Sequence, residues 1–125
     1  MTENEVSYKV RGAIFSVYNE IGPGLLETAY EAALYYELIE MGLNVRRQVY
    51  LPFTYKDVQI DVAFRLDMIV ENKVILELKS VESLAGVHYK QLLTYQRLTN
   101  RKLGLLINFN TTDLSTGIVR VVNGL

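Results

Sequence analysis

The chain has no cysteine among its 125 residues. It can therefore build neither a disulfide framework nor a thiolate zinc site, which fits a reducing interior. It has two prolines, and half of its residues are apolar, a globular composition and not a disordered one. No apolar run approaches the roughly 20 residues needed to span a bilayer, and the N-terminus does not read as a signal peptide, so the expected place of action is the cytoplasm. An excess of one charge is missing too: 13 Lys and Arg face 14 Asp and Glu, for a net charge of −1 and a pI near 5.8. That balance argues against a constitutive, non-specific coat on nucleic acid, and leaves room for a local basic surface around an acidic site. The single histidine, His88, has no candidate partner and is given no catalytic role. Repeats, linkers and low-complexity segments are lacking, and the length suits one domain over residues 1–125.

What the chain does have is a change of period. Val6, Val10, Ala13, Ile14, Val17 and Ile21 recur at helical spacing, which predicts a helix from about Glu3 to Glu20, ended by Gly22-Pro23-Gly24. A second helix is expected from near Leu25 to Gly42, with Glu27 in its first turn. A carboxylate there is favoured by the helix dipole alone, yet it lies on a largely apolar flank and leans toward the core edge. From Leu43 to Lys79 the pattern is β: a strand to Tyr55 bent at Pro52, a turn at Lys56-Asp57, and a return over Val58 to Val70. Arg46, Arg47 and Lys56 read as solvent-face charges. A third helix starts at Ser83 or a neighbour and ends near Asn100. The apolar run Leu103 to Phe109 is that of a strand buried on both faces, and Gly117 to Val122 is a short edge strand. The expected order is α-α-β-β-β-α-β-(β), a mixed sheet with a parallel β-α-β unit and helices on its faces.

The stretch that stands out is Arg65 to Ser80. Two apolar runs flank Glu71-Asn72-Lys73 and read as a hairpin, but Asp67, Glu77 and Lys79 interrupt them. Charged residues are rarely buried unless paired or bound to a metal. Glu77 and Lys79, two apart, share a strand face with Ile75. A two-residue loop turns Asp67 to the other face, whereas a three-residue loop sets it directly opposite Glu77. In that second register two carboxylates and an ammonium converge; the plainer alternative is that Glu77 and Lys79 are a solvated ion pair on an exposed strand face. On the third helix Gln91 and Tyr95 share a face.

Together these residues resemble a known family. Gly24-Leu25-Leu26-Glu27-Thr28-Ala29-Tyr30 matches the signature of the GxxExxY family, within the PD-(D/E)XK nuclease-like superfamily. Leu66-Asp67 and Glu77-Leu78-Lys79 resemble that superfamily's aspartate and Glu-x-Lys, with Leu66 in place of its proline. Gln91-Leu92-Leu93-Thr94-Tyr95 is similar to the Gln-x-x-x-Tyr motif of the RecB-like branch. The likeness runs from about Val6 to Val122.

The resemblance implies a restriction-endonuclease-like α-β-β-β-α-β core and a metal-dependent nuclease. Asp67, Glu77, the Leu78 carbonyl and Glu27 are implied as ligands of Mg²⁺ or Mn²⁺, hard cations suited to oxygen donors. Lys79, with Glu77, Asp67 and Glu27, is implied as catalytic, and Gln91 and Tyr95 as substrate-positioning. The implied partner is nucleic acid, DNA ahead of RNA, with no membrane; a homodimer or a protein partner is the further association considered. The other function class is a catalytically silent module that keeps the fold and binds nucleic acid or a protein.

Overall fold

The computed structural model describes residues 1–125 other than the side chains of residues 62 and 63. Helix α1 (Glu3–Ile21) opens on Thr2, whose hydroxyl accepts from the Glu5 amide at 3.2 Å. The Glu5 carboxylate reaches back to the Thr2 amide, so two donors left over at a helix start are satisfied. One stripe of α1, Val6, Val10, Ala13, Ile14 and Val17, is buried. Helix α2 (Glu27–Glu40) begins later than its apolar pattern suggests. The reason is Tyr30, whose hydroxyl donates to the Gly22 carbonyl at 2.7 Å and accepts from the Leu25 amide at 3.1 Å, holding Gly22 to Leu25 as a loop.

Strands β1 (Val45–Tyr55), β2 (Val58–Val70) and β3 (Val74–Lys79) follow, then α3 (Gly86–Thr99), β4 (Leu103–Asn108), the single turn α4 (Leu114–Gly117) and β5 (Ile118–Val122). The start of α3 is set by His88, whose Nδ1 accepts from the Ala85 amide at 3.0 Å. The sheet order is β1-β2-β3-β4-β5, so β3 is central. β3 and β4 are parallel from Val74↔Leu103 to Lys79↔Asn108, and the other neighbouring pairs are antiparallel. The hairpin register is that of the three-residue loop: Val70↔Val74, Ile69↔Ile75, Met68↔Leu76. Two of the loop residues, Glu71 and Asn72, sit at φ 53° and 54° without glycine. Their positions are held by Asn44, whose amide donates to the Glu71 carboxylate at 2.7 Å, and by Arg101, which donates to the Asn72 side chain at 2.6 Å.

Two cores flank the sheet. On one face α1 and α2 bury Val10, Ile14, Leu34 and Leu38 against Met68, Leu76, Leu105 and Ile107. On the other, Leu92 of α3 packs on Leu66, Ile69, Ile75 and Leu106. Each such side chain contributes about 1.5–3 kcal/mol when fully buried. β4 is buried along its whole length, as its apolar run predicts. α3 approaches it closely because Gly104 has no side chain. A Cβ there would lie 2.8 Å from Gln96 Oε1 and 2.9 Å from Leu92 Cδ1.

Candidate active site

β2 and β3 pair over three residues and then part. β2 continues along β1, β3 continues along β4, and a fork opens between them. The first unpaired position holds Asp67 and Glu77, and there the side chains take over from the ladder. The Leu78 amide donates to Asp67 Oδ2 at 2.9 Å, and the Asp67 amide approaches Glu77 Oε1 at 3.4 Å. A buried amide needs an acceptor, and each strand supplies one to the other with its carboxylate.

The fork coincides with a slip in alternation. Leu66 and Met68 would share a face in a regular strand. Instead Leu66 packs on the α3 side and Met68 on the α1–α2 side, so the face changes at Asp67. The β1–β2 ladder shows the same break: Arg47 pairs with Met68 and Val49 with Leu66, and the Gln48–Asp67 pair between them is skipped. Gln48 has φ 49°, which costs a non-glycine residue about 1–2 kcal/mol. A charge-assisted bond works against that cost: Gln48 Nε2 donates to Glu31 Oε1 at 2.6 Å. Glu31, 7% exposed on α2, also has Arg47 at 3.7 Å, and that guanidinium lies 4.7 Å above the Tyr35 ring. Arg47 is thus more than a solvated charge.

Helix α2 braces the other side of the fork one turn earlier. Glu27 Oε1 accepts from the Ser80 amide at 3.1 Å, and the Ser80 hydroxyl donates to the Leu25 carbonyl at 2.6 Å. Tyr30 then stacks on Phe109 with ring centroids 4.3 Å apart. Gly24, at φ 107°, turns the loop into the helix. Leu25, Glu27 and Tyr30 therefore each tie the start of α2 to the chain that leaves β3 and β4. Asn108 completes the tie, with its side chain bonded to both the amide and the carbonyl of Val81.

Two cavities open from the fork. The smaller, about 210 Å³, runs toward α2 past Glu27, Glu31 and Gln48. The larger, about 400 Å³, runs toward α3 and takes in Glu77, Tyr50, Gln91 and Tyr95. Arg65, Asp67 and Lys79 border both. The structure thus gathers all the residues singled out in the sequence around one fork, Glu27 and the Leu78 position on the α2 side, Gln91 and Tyr95 on the α3 side. His88 is spent on the start of α3.

Residues 4–121 match the family model of the PD-(D/E)XK nuclease superfamily. The chain belongs to that superfamily. Searches of the curated proteins and of the solved structures returned no match. Nucleases of the superfamily generally use divalent metals.

The donor set fits such an ion in one respect and is spare in another. Burial, then the charge of Asp67 and the bond to it, push the Glu77 carboxyl up to about 9 from its ordinary 4.5, with Lys79 pulling the other way. A cation beside the two carboxylates would lower the cost of ionising Glu77 there. Yet among the described residues no three acidic, histidine or cysteine side chains stand close enough to hold an ion together. Glu27 faces the Ser80 amide, which leaves Asp67, Glu77 and a backbone carbonyl. That is a set for an ion that keeps several waters, as Mg²⁺ does.

Cationic side chains border the same cavities as the pair without forming an ion pair with it. Among the described residues the ion pair is Arg47 with Glu31, and the half-buried Lys79 is in none. Burial raises the pKa of the Tyr95 hydroxyl, the charges of Glu77 and Asp67 add to this, and Arg65 opposes them. Tyr95 is therefore a proton-bearing donor at neutral pH, its ring fixed on Phe64 at 4.8 Å. Sequence reasoning passed over Arg65, Gln48, Glu31 and Tyr50. Arg65 was within reach of it, since a residue two before Asp67 in a strand sits beside it. Nothing in the sequence signals the slip at Gln48.

Proposed function

We propose that the chain, taken as a single domain over residues 1–125, is a metal-dependent nuclease that hydrolyses phosphodiester bonds, DNA before RNA. The observation that carries this is the fork: two carboxylates meet where a sheet ladder should continue, one of them holds its proton to about 9, and Lys79 borders the same cavities outside any ion pair. Within the superfamily the spacing of Gly24, Glu27 and Tyr30 supports the GxxExxY branch.

In this reading Asp67, Glu77, the Leu78 carbonyl and Glu27 would hold Mg²⁺ or Mn²⁺, which when bound would supply Lewis acidity toward the phosphate and a more acidic water. Lys79 donates a hydrogen bond to the attacking water and offsets charge on the phosphoryl oxygens. Gln91 and Tyr95 donate to the substrate backbone, contacts that set position and not sequence. The second reading is the silent module that binds nucleic acid or a protein, and the engagement of Glu27 with Ser80 favours it.

The test is cleavage of several DNA and RNA substrates with Mg²⁺ or Mn²⁺, wild type beside Lys79→Ala. A nuclease loses roughly 10²- to 10⁴-fold in rate with substrate affinity nearly intact. Equal cleavage by both proteins places the activity elsewhere, and no cleavage on any substrate leaves the binding module.

A further inference from the structure

Tyr50 has no place in the chemistry above, and its surroundings set it apart from the other exposed tyrosines. It is 63% exposed, lies directly across the β1–β2 ladder from Arg65, and borders the larger cavity together with Asp67, Glu77 and Lys79. Tyr36 is equally exposed, but sits on α2 away from that cavity. At the rim of the fork, then, an aromatic face and a guanidinium stand side by side, above carboxylates of which Glu77 is 4% exposed.

We propose that Tyr50 is a stacking platform for an unpaired base, that Arg65 takes the phosphate beside it, and that the substrate is single-stranded nucleic acid. The proposal rests on the nuclease reading and deepens it. In a duplex the faces of the bases are covered by their neighbours in the stack, and the outside offers phosphate and sugar. An exposed ring gains from a base only where the base is unstacked, and it then gains with every base type. The buried position of Glu77 points the same way. A single strand can bend a phosphate into a cavity of about 400 Å³ lined by Tyr50 and Tyr95, and a duplex, stiff over roughly 150 bp, bends its backbone far less readily. Arg65 borders both cavities, so it accompanies the phosphate from the rim to the carboxylate pair.

The test is fluorescence anisotropy in Ca²⁺ with labelled oligothymidylate, oligouridylate and a duplex of the same length. The proteins are wild type, Tyr50→Ala, Tyr50→Phe, Arg65→Gln and Tyr36→Ala. Tyr50→Ala should weaken single-strand binding roughly 10- to 100-fold, the size of one base–aromatic stack. Tyr50→Phe should restore it, Tyr36→Ala should match wild type, and the duplex should bind weakly and without regard to residue 50. Arg65→Gln should weaken all substrates and flatten the salt dependence. If Tyr50→Ala binds single strands like wild type, or weakens single strand and duplex alike, the platform is overturned. Should wild type still cut in a Lys79-dependent manner, the nuclease reading survives that loss; should it neither bind nor cut any nucleic acid, both fall together.

Discussion

Replacing Glu77 with glutamine should stabilise the metal-free protein at alkaline pH, although it removes a charged residue from the candidate catalytic set. The reason is the proton. Glu77 is 4% exposed and its carboxyl is pushed up to about 9, first by burial and then by Asp67. Above its ordinary value of 4.5 the unfolded chain releases that proton while the folded chain keeps it. The folded state then binds more protons than the unfolded one, so stability falls as pH rises from about 4.5 and keeps falling to about 9. Each pH unit costs about 1.4 kcal/mol, which puts the ceiling near pH 8 at about 5 kcal/mol. Glutamine has the shape of the protonated acid and nothing to titrate. Its Oε1 can accept from the Asp67 amide as Glu77 does now, and its Nε2 can donate to the Asp67 carboxylate. Thermal melts in EDTA across this range are the assay. Wild type should lose Tm steadily, Glu77→Gln should not, and the gap near pH 8 should widen toward a ceiling of about 20 °C, at roughly 4 °C per kcal/mol. Added Mn²⁺ should raise the Tm of wild type and leave the variant unmoved. A wild-type Tm that is level or rises with pH in EDTA, or a variant less stable than wild type near pH 8, refutes the buried neutral acid.

Gln48→Val should restore the skipped pair with position 67, because a β-branched residue does not tolerate φ 49°. Urea melts should then show stability within about 1 kcal/mol of wild type, while Mn²⁺ titration shows lost binding; Gln48→Gly, which keeps the backbone, should still bind. Gly104→Ala pushes a methyl to within 3 Å of Gln96 and Leu92 and should cost about 1–3 kcal/mol by denaturant melts. Tyr30→Phe keeps the stack on Phe109 but frees the Leu25 amide and the Gly22 carbonyl, so melts should show a loss of about 1–2 kcal/mol.

The elements were legible because their signals are local. Val6 to Val17 repeat at helical spacing, Leu103 to Asn108 are apolar up to Ile107, and both are buried as that pattern requires. The hairpin register could be narrowed to two choices, since a loop of two or three residues decides which face Asp67 takes. What could not be read is the set of contacts made across distance. The three-residue loop has no glycine for its two positive-φ positions, and it is Asn44 and Arg101, from other parts of the chain, that hold Glu71 and Asn72 in place. Arg47 looked like a surface charge until Glu31 and Tyr35 of α2 came beside it.

The slip at Asp67 explains why the site and the fold are one structure. A strand that kept its alternation through Leu66, Asp67 and Met68 would put both apolar residues in one core and leave Asp67 facing the other, unpaired. Shifting the face at Asp67 sends Leu66 to the α3 core and Met68 to the α1–α2 core, and leaves the carboxylate in the plane of the sheet, between β2 and β3. That break needs support on both flanks, and α2 provides it from two carboxylates one turn apart: Glu31 holds β1 through Gln48, and Glu27 holds the end of β3 through Ser80. The helix that carries the Gly24-to-Tyr30 spacing therefore keeps the fork open whether or not Glu27 ever reaches an ion. Glu27→Gln separates the two roles. The amide oxygen can still accept from Ser80, so stability should change by less than about 1 kcal/mol. Mn²⁺ affinity and cleavage should drop only if the Glu27 charge also acts at the site, and a variant that binds and cuts like wild type would confine Glu27 to bracing.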